Sequence, residues 1–100
     1  MTLETIEEQI KQKMAFAPQI NARVKFDFGD EGMIFVDGTQ TPPVMSREDG
    51  EADVVLSCST DTFQGFLNGT QDPNVAFMMG KLKVKGSMGL AMKLNAILED

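Results

Sequence analysis

The spacing of apolar residues predicts an α+β domain, and three observations carry the prediction. In residues 22–28 and 52–58 apolar and polar side chains alternate, the period of a half-buried strand. In residues 2–14, 59–69 and 88–98 apolar side chains recur three and four positions apart, the period of a helix. One hundred residues, 42% hydrophobic and 24% charged, suit one globular domain with one core.

The elements follow in order. Leu3, Ile6, Ile10 and Met14 share one helical stripe, and Glu4, Glu7, Glu8, Lys11 and Lys13 lie outside it. Thr2 can cap the start, and the proline of Phe16-Ala17-Pro18 ends the run, because proline disfavours helix in the residue before it. Val24, Phe26 and Phe28 then alternate with Arg23, Lys25 and Asp27 in a strand, followed by turn residues at 29–32. In 33–38, Met33 and Phe35 face one way and Ile34 and Val36 the other. A strand apolar on both faces is either covered on both, or covered on one and lining something on the other. Residues 39–53 read as loop, with Pro42 and Pro43 suited to a sheet edge and a turn at 48–51. Ala52, Val54, Leu56 and Cys58 mark the next strand. Three strands in succession predict an antiparallel meander.

The period then changes. Phe63, Phe66 and Leu67 lie on a helix that Ser59 or Thr60 can cap and Gly69 can end. Residues 72–80 repeat this grammar in a shorter helix, with Asp72 as cap, Pro73 in first position and Gly80 as terminator. In 81–86 a strand sets Lys81, Lys83 and Lys85 on one side and Leu82 and Val84 on the other. Ser87 can cap the last helix, which is apolar nearly all round. Leu90, Leu94, Ile97 and Leu98 form one stripe, Met88, Met92 and Ala96 another nearly opposite, and Ala91 sits between them. One sheet can cover only one stripe, so the second calls for a helix, a partner subunit or a ligand.

Composition narrows the function. The formal charge is −6, and nucleic-acid binding needs a basic face, so no nucleic-acid partner is expected. There is no histidine, tryptophan or tyrosine. That removes the commonest acid–base residue and metal ligand, and every nucleophile that depends on histidine. The acidic pairs Glu7-Glu8 and Glu48-Asp49 fall on an exposed helix face and in a turn rather than in a catalytic arrangement. No metal or cofactor site is apparent, and no enzymatic activity is expected. The single cysteine, Cys58, reads as a small core residue, excludes an internal disulfide and fits a reducing cytoplasm. The N-terminal segment has no long apolar run of the kind found in a signal peptide or membrane span, and the chain does not end in a Ser-Lys-Leu address.

Residues 76–94 gather four of the eight methionines and four of the nine basic residues. Apolar stripes at helical spacing usually mean core. Here Met78, Met79, Met88 and Met92 cluster with Phe63, Phe66, Leu67 and Phe77, a deformable apolar wall suited to variable alkyl chains. The row of Lys81, Lys83 and Lys85 is either a solvated strand face or a contact for anionic headgroups. The string Gly80 to Ser87 lacks the glycine spacing of a phosphate-binding loop.

Residues 52–94 resemble the sterol carrier protein 2 domain. The resemblance is carried by the Ala-Asp strand start, the helix with Phe and Leu, the Asp-Pro-x-x-Ala-Phe motif, and Gly-Lys-Leu-x-Val-x-Gly followed by Met-x-Leu-Ala-x-Lys-Leu. These motifs fall on Asp72, Pro73, Ala76, Phe77, Gly80, Lys81, Leu82, Val84, Gly86, Met88, Leu90, Ala91, Lys93 and Leu94. Residues 24–38 fit the family's strand–turn–strand more loosely. The resemblance implies a five-stranded, mainly antiparallel sheet with helices packed on one face, the fifth strand coming from Thr39–Met45. It also implies an apolar tunnel between sheet and helices, and non-catalytic carriage of fatty acids, acyl-CoA or sterol-like lipids. Phe63, Phe66, Phe77, Met78, Met79, Met88, Met92 and Leu94 are the expected lining, Met33 and Phe35 the sheet's share. Lys81, Lys83 and Lys85 are expected to meet headgroups or a membrane surface. With the last residue at Asp100, the second stripe of the final helix is expected to lie against another subunit, in a homodimer. The alternative is an interaction module of the same fold with a filled cavity.

Overall fold

In the computed structural model, residues 3–15, 21–40, 43–47 and 50–99 are described. Helix α1 (Leu3–Ala15) comes first. It buries Ile6, Ile10 and Met14, a stripe at i, i+4 and i+8, and leaves Glu4 and Glu8 exposed. Burying each isoleucine is worth about 1.5–3 kcal/mol, enough to hold a helix of this length that would be marginal alone. The expected cap at Thr2 and stop at 16–18 lie outside the described residues.

Strands β1 (Arg23–Asp27) and β2 (Met33–Asp37) form an antiparallel hairpin with Phe26 opposite Ile34. A 3-10 turn (Gly29–Glu31) joins them. The Asp27 carboxylate accepts from the Gly29 N–H at 2.9 Å, and the Phe28 N–H donates to the Gly32 carbonyl at 2.8 Å. The second turn is built by Asp37, whose carboxylate accepts from the Thr39 N–H (3.0 Å) and the Gln40 amide (3.1 Å). The hydrogen bonds from Thr39, then that from Gln40, hold the Asp37 carboxyl below its ordinary range. Beyond this turn β3 (Val44–Ser46) pairs antiparallel with β2 at the sheet edge, next to Pro43. This is the fifth strand, at the end of the 39–45 region.

The expected meander does not form. Strand β4 (Val54–Ser57) pairs parallel with β1, not beside β2, and the sheet order is β3-β2-β1-β4-β5. The physical reason is that β3 already occupies the free edge of β2. The chain must cross the sheet to reach the open edge of β1, and a strand that arrives there at the β1 start runs alongside it. Asp53 makes the junction: its N–H donates to the Arg23 carbonyl and its carboxylate accepts the Arg23 N–H, both at 2.9 Å. The crossing passes the outer face of the sheet, where Gly50 lies against the Phe35 ring; a Cβ there would stand 3.2 Å from it.

Helix α2 (Thr60–Asn68) starts at Ser59, whose hydroxyl accepts from the Thr62 N–H at 3.1 Å, and ends at Gly69 in the left-handed region (φ 79°). Helix α3 (Pro73–Met78) has Asp72 as cap, accepting from the Asn74 N–H at 2.8 Å. Strand β5 (Lys83–Gly86) pairs antiparallel with β4. Helix α4 (Met88–Glu99) then folds back over the sheet, packing on α1, α2, β4 and β5. The Ser87 hydroxyl accepts from the Leu90 N–H at 3.3 Å.

All four helices lie on the face that presents Val24, Phe26, Ile34, Val36, Val54 and Leu56. Phe63 keys the two layers together. Its ring meets Phe26 (5.2 Å, 66°), Phe28 (5.3 Å, 71°) and Phe66 (6.1 Å, 69°), all edge-to-face.

Candidate functional site

The expected lining residues separate into three groups. Phe63, Phe66 and Leu94 are core, each at most 2% exposed, and fill the space between helices and sheet. Met33 and Phe35 stand on the far side of β2, because Ile34 and Val36 take the helix side. The sheet's wall toward the helices is therefore Ile34 and Val36, a correction to the expected share of Met33 and Phe35. The crossover at Gly50 covers Phe35 instead, which is why this strand is apolar on both faces.

The third group is at the surface. Met78 is 84% exposed, Met92 68%, Met79 64%, Met88 49% and Phe77 45%. They are not core, and they occupy consecutive elements on either side of β5. On α4 the two apolar stripes part company. Ala91 and Leu94 are buried and Leu90 half-buried, whereas Met88, Met92 and Ala96, at i, i+4 and i+8, face water. The side chains of Ile97 and Leu98 lie outside the described residues. Val75, 45% exposed, joins Met78 and Met79 on one face of α3. Sequence reasoning missed it, although the 75, 78, 79 spacing is a helical face.

Why this surface forms is local. Asp72 and Pro73 start α3, and Gly80 (φ 78°) ends it after scarcely two turns, with the Lys81 and Leu82 N–H groups closing on the Ala76 carbonyl at 2.8 and 3.2 Å. Only Pro73 and Ala76 of this helix are buried. At its other end β5 closes on β4 through Gly86 (φ 101°), where a Cβ would lie 2.3 Å from the Asp53 carbonyl oxygen; only glycine fits. That junction aims α4.

Lys81, Lys83 and Lys85 are exposed. Lys83 and Lys85 stand on the outer face of the edge strand, opposite Ser57 and Val55. Lys81 and Lys83 also border a cleft of about 430 Å³ with Asp27, Asp30, Glu31 and Cys58. Burial pushes the Cys58 thiol up to about 12, so it is no thiolate nucleophile at neutral pH. A second cleft, about 560 Å³, lies at the β3 edge between α1 and the β2–β3 turn, lined by Glu4, Glu7, Glu8 and Lys11. Neither cleft is lined by the exposed methionines. Glu7 accepts from Arg47 at 2.9 Å, a surface ion pair worth about 0.2–1 kcal/mol. Glu48 and Asp49 lie outside the described residues. Among the described residues no group of three or more Cys, Asp or Glu could hold a metal ion, and no helix is long and apolar enough to cross a membrane.

This architecture is shared with known proteins. Sterol carrier protein 2 from Yarrowia lipolytica superposes with a TM-score of 0.70 at 26% identity, over 95% of this chain and 77% of that one. A palmitated SCP2L2 from Aedes aegypti superposes with a TM-score of 0.75 at 19% identity, over 100% of this chain and 96% of that one. Hydroxysteroid dehydrogenase-like protein 2 from Bos taurus is 52% identical over 50 residues, which are 50% of this chain and 12% of that protein. The matched residues are about an eighth of the length of that relative, so the chain spans only a small part of it. A five-stranded sheet helical on one face is what these structures have in common with it, and the match extends from the first helix to the last. The SCP-2 sterol transfer family matches residues 3–99, and the chain belongs to that family.

Proposed function

We propose that this domain binds and carries single lipid molecules with long apolar parts (fatty acids, acyl-CoA esters or sterol-like lipids) without catalysing a reaction, in the cytoplasm. The observation that supports this most is the exposure of Phe77, Met78, Met79, Met88 and Met92, five large apolar side chains held in water by a fold that has a full core elsewhere. Monomeric proteins seldom leave such side chains clustered without a use for them. Methionine is unbranched and polarizable, so this wall can close on chains of different shape.

The energetics suit a carrier. An alkyl chain gains about 0.8 kcal/mol per methylene on leaving water, so a long chain gains ~10 kcal/mol before the costs of association and ordering. At that value one methylene changes affinity by about fourfold, so selectivity among chain lengths on a deformable wall is low. The Aedes aegypti protein of the same fold is a palmitated one, which supports a fatty acid as one ligand here. The absence of histidine from the chain supports the non-catalytic part; turnover that disappears on replacing one carboxylate would overturn it.

The test is native mass spectrometry of the purified protein together with uptake of a fluorescent fatty acid. Lipid adducts and saturable uptake, weakened in Met78→Asp and Met92→Asp, are expected. A bare protein that takes up no fatty acid overturns the reading.

A further inference from the structure

Sulfur is distributed unevenly over this molecule. The chain has eight methionines. Met78, Met79, Met88 and Met92 are exposed, and all four belong to the apolar wall assigned to lipid above. Met14 is buried, Met33 and Met45 are half-buried, and Met1 lies outside the described residues. Met78 and Met79 are adjacent at the end of α3, and Met88 and Met92 stand one turn apart on one face of α4. With no histidine, tryptophan or tyrosine in the chain, the other readily oxidised side chain is Cys58. It is half-buried, and loss of hydration keeps its thiol protonated, which withholds the thiolate needed to react with a peroxide.

We infer that Met78, Met79, Met88 and Met92 form a modification site: hydrogen peroxide converts their thioethers to sulfoxides, and the sulfoxides switch off lipid uptake. In each step a sulfur lone pair takes one oxygen of the peroxide. An S–O bond forms, the O–O bond breaks, and the other oxygen leaves as water, so the sulfur is oxidised and the peroxide reduced. The reverse step belongs to a methionine sulfoxide reductase with a dithiol as electron donor. It releases the sulfoxide oxygen as water and leaves the donor as a disulfide.

The empty and the loaded protein feel this change differently. In the empty protein each sulfoxide oxygen is solvated, and a change at an exposed position costs the fold little. Against an alkyl chain the same oxygen loses its water and finds no donor. A polar group buried unpaired costs enough to weaken affinity about fivefold or more per sulfoxide. Conversely, a bound alkyl chain shields the sulfurs it covers, so the loaded protein resists the peroxide that disarms the empty one. Met14 marks the contrast. It shares the buried stripe of Ile6 and Ile10, so its oxidation damages the core rather than the wall.

This inference rests on the carrier reading and names a regulation of the same wall. The test is graded hydrogen peroxide treatment of the purified chain. Peptide mass spectrometry follows each methionine, and uptake of a fluorescent fatty acid and urea unfolding are measured on the same samples. Met78, Met79, Met88 and Met92 should oxidise before Met14, and uptake should weaken at least about fivefold while the unfolding midpoint holds. Reductase with dithiothreitol should restore uptake, and palmitate added beforehand should slow oxidation of the four. Replacing all four by leucine (Met78→Leu, Met79→Leu, Met88→Leu and Met92→Leu) keeps an apolar wall of similar volume, and should leave uptake intact and deaf to peroxide. The single variants Met78→Leu and Met92→Leu, each with a smaller response than the parent chain, carry the same comparison with less change to the fold. Unchanged uptake with all four methionines oxidised overturns the inference. So does an equal loss of uptake in the leucine variants, or a loss that comes only with Met14 oxidation and unfolding. Uptake by the untreated chain separates the two readings: where it is present and survives oxidation, the switch alone is overturned, and where it is absent, the carrier falls as well.

Discussion

Helices α1 and α4 have nearly the same length and lie on the same face of the sheet, yet they meet water in opposite ways. Helix α1 has one apolar stripe, buries Ile6, Ile10 and Met14 of it with Leu3 half-buried, and shows glutamates outside. Helix α4 has two stripes, hides Ala91 and Leu94, and shows Met88, Met92 and Ala96. The difference teaches that apolar residues at helical spacing measure what could be buried, and the number of neighbouring layers decides what is. A two-layer fold has room for one stripe per helix. The surplus on α4 is where the fold's own stability and its use part ways.

Substitution can break that comparison directly. Ile10→Ala in α1 should cost about 2–5 kcal/mol in urea unfolding, because it empties a fully buried site. Met92→Ala in α4 should stay within about 0.5 kcal/mol, as an exposed position does. Equal costs would mean that the two stripes are equally buried. The placement of α4 comes next in size. Gly86→Ala drives a Cβ into the Asp53 carbonyl at a positive φ, and should cost roughly 1–3 kcal/mol and weaken lipid uptake by tilting the helix. Smaller than that of Gly86→Ala is the effect of Ser87→Ala, which removes the hydroxyl that accepts the Leu90 N–H and should lower stability by about 0.5–1 kcal/mol, read as a small shift in the unfolding midpoint with unchanged uptake.

Much of this was legible in the sequence where the physics is local. Ser59, Asp72, Gly69 and Gly80 mark helix ends because a cap or a left-handed residue acts within a few positions of itself. The burial of Ile6, Ile10 and Met14, and the facing of Val24 and Phe26, follow from period alone. The parallel pairing of β4 with β1 was not legible, since nothing near Val54 says which strand's edge is free. Met33 and Phe35 were misplaced for a related reason: a strand apolar on both faces does not say which one the helices choose. The exposure of Met78, Met79 and Met92 could not be read from periodicity either. The missing signal was charge, an acid-free run from 73 to 98 in an otherwise acidic chain.

The parallel pair at the middle of the sheet has a kinetic consequence. Val24 and Val54 are partners thirty residues apart, so the central ladder must wait for the intervening chain to be drawn across the sheet. Loop closure of that length is costly before any contact rewards it, and non-local pairing slows folding. The β1–β2 hairpin can form early and on its own; β4, β5 and the methionine-bearing helices are assembled onto it last. During synthesis and refolding the most apolar third of the chain is thus the part that stays unprotected longest.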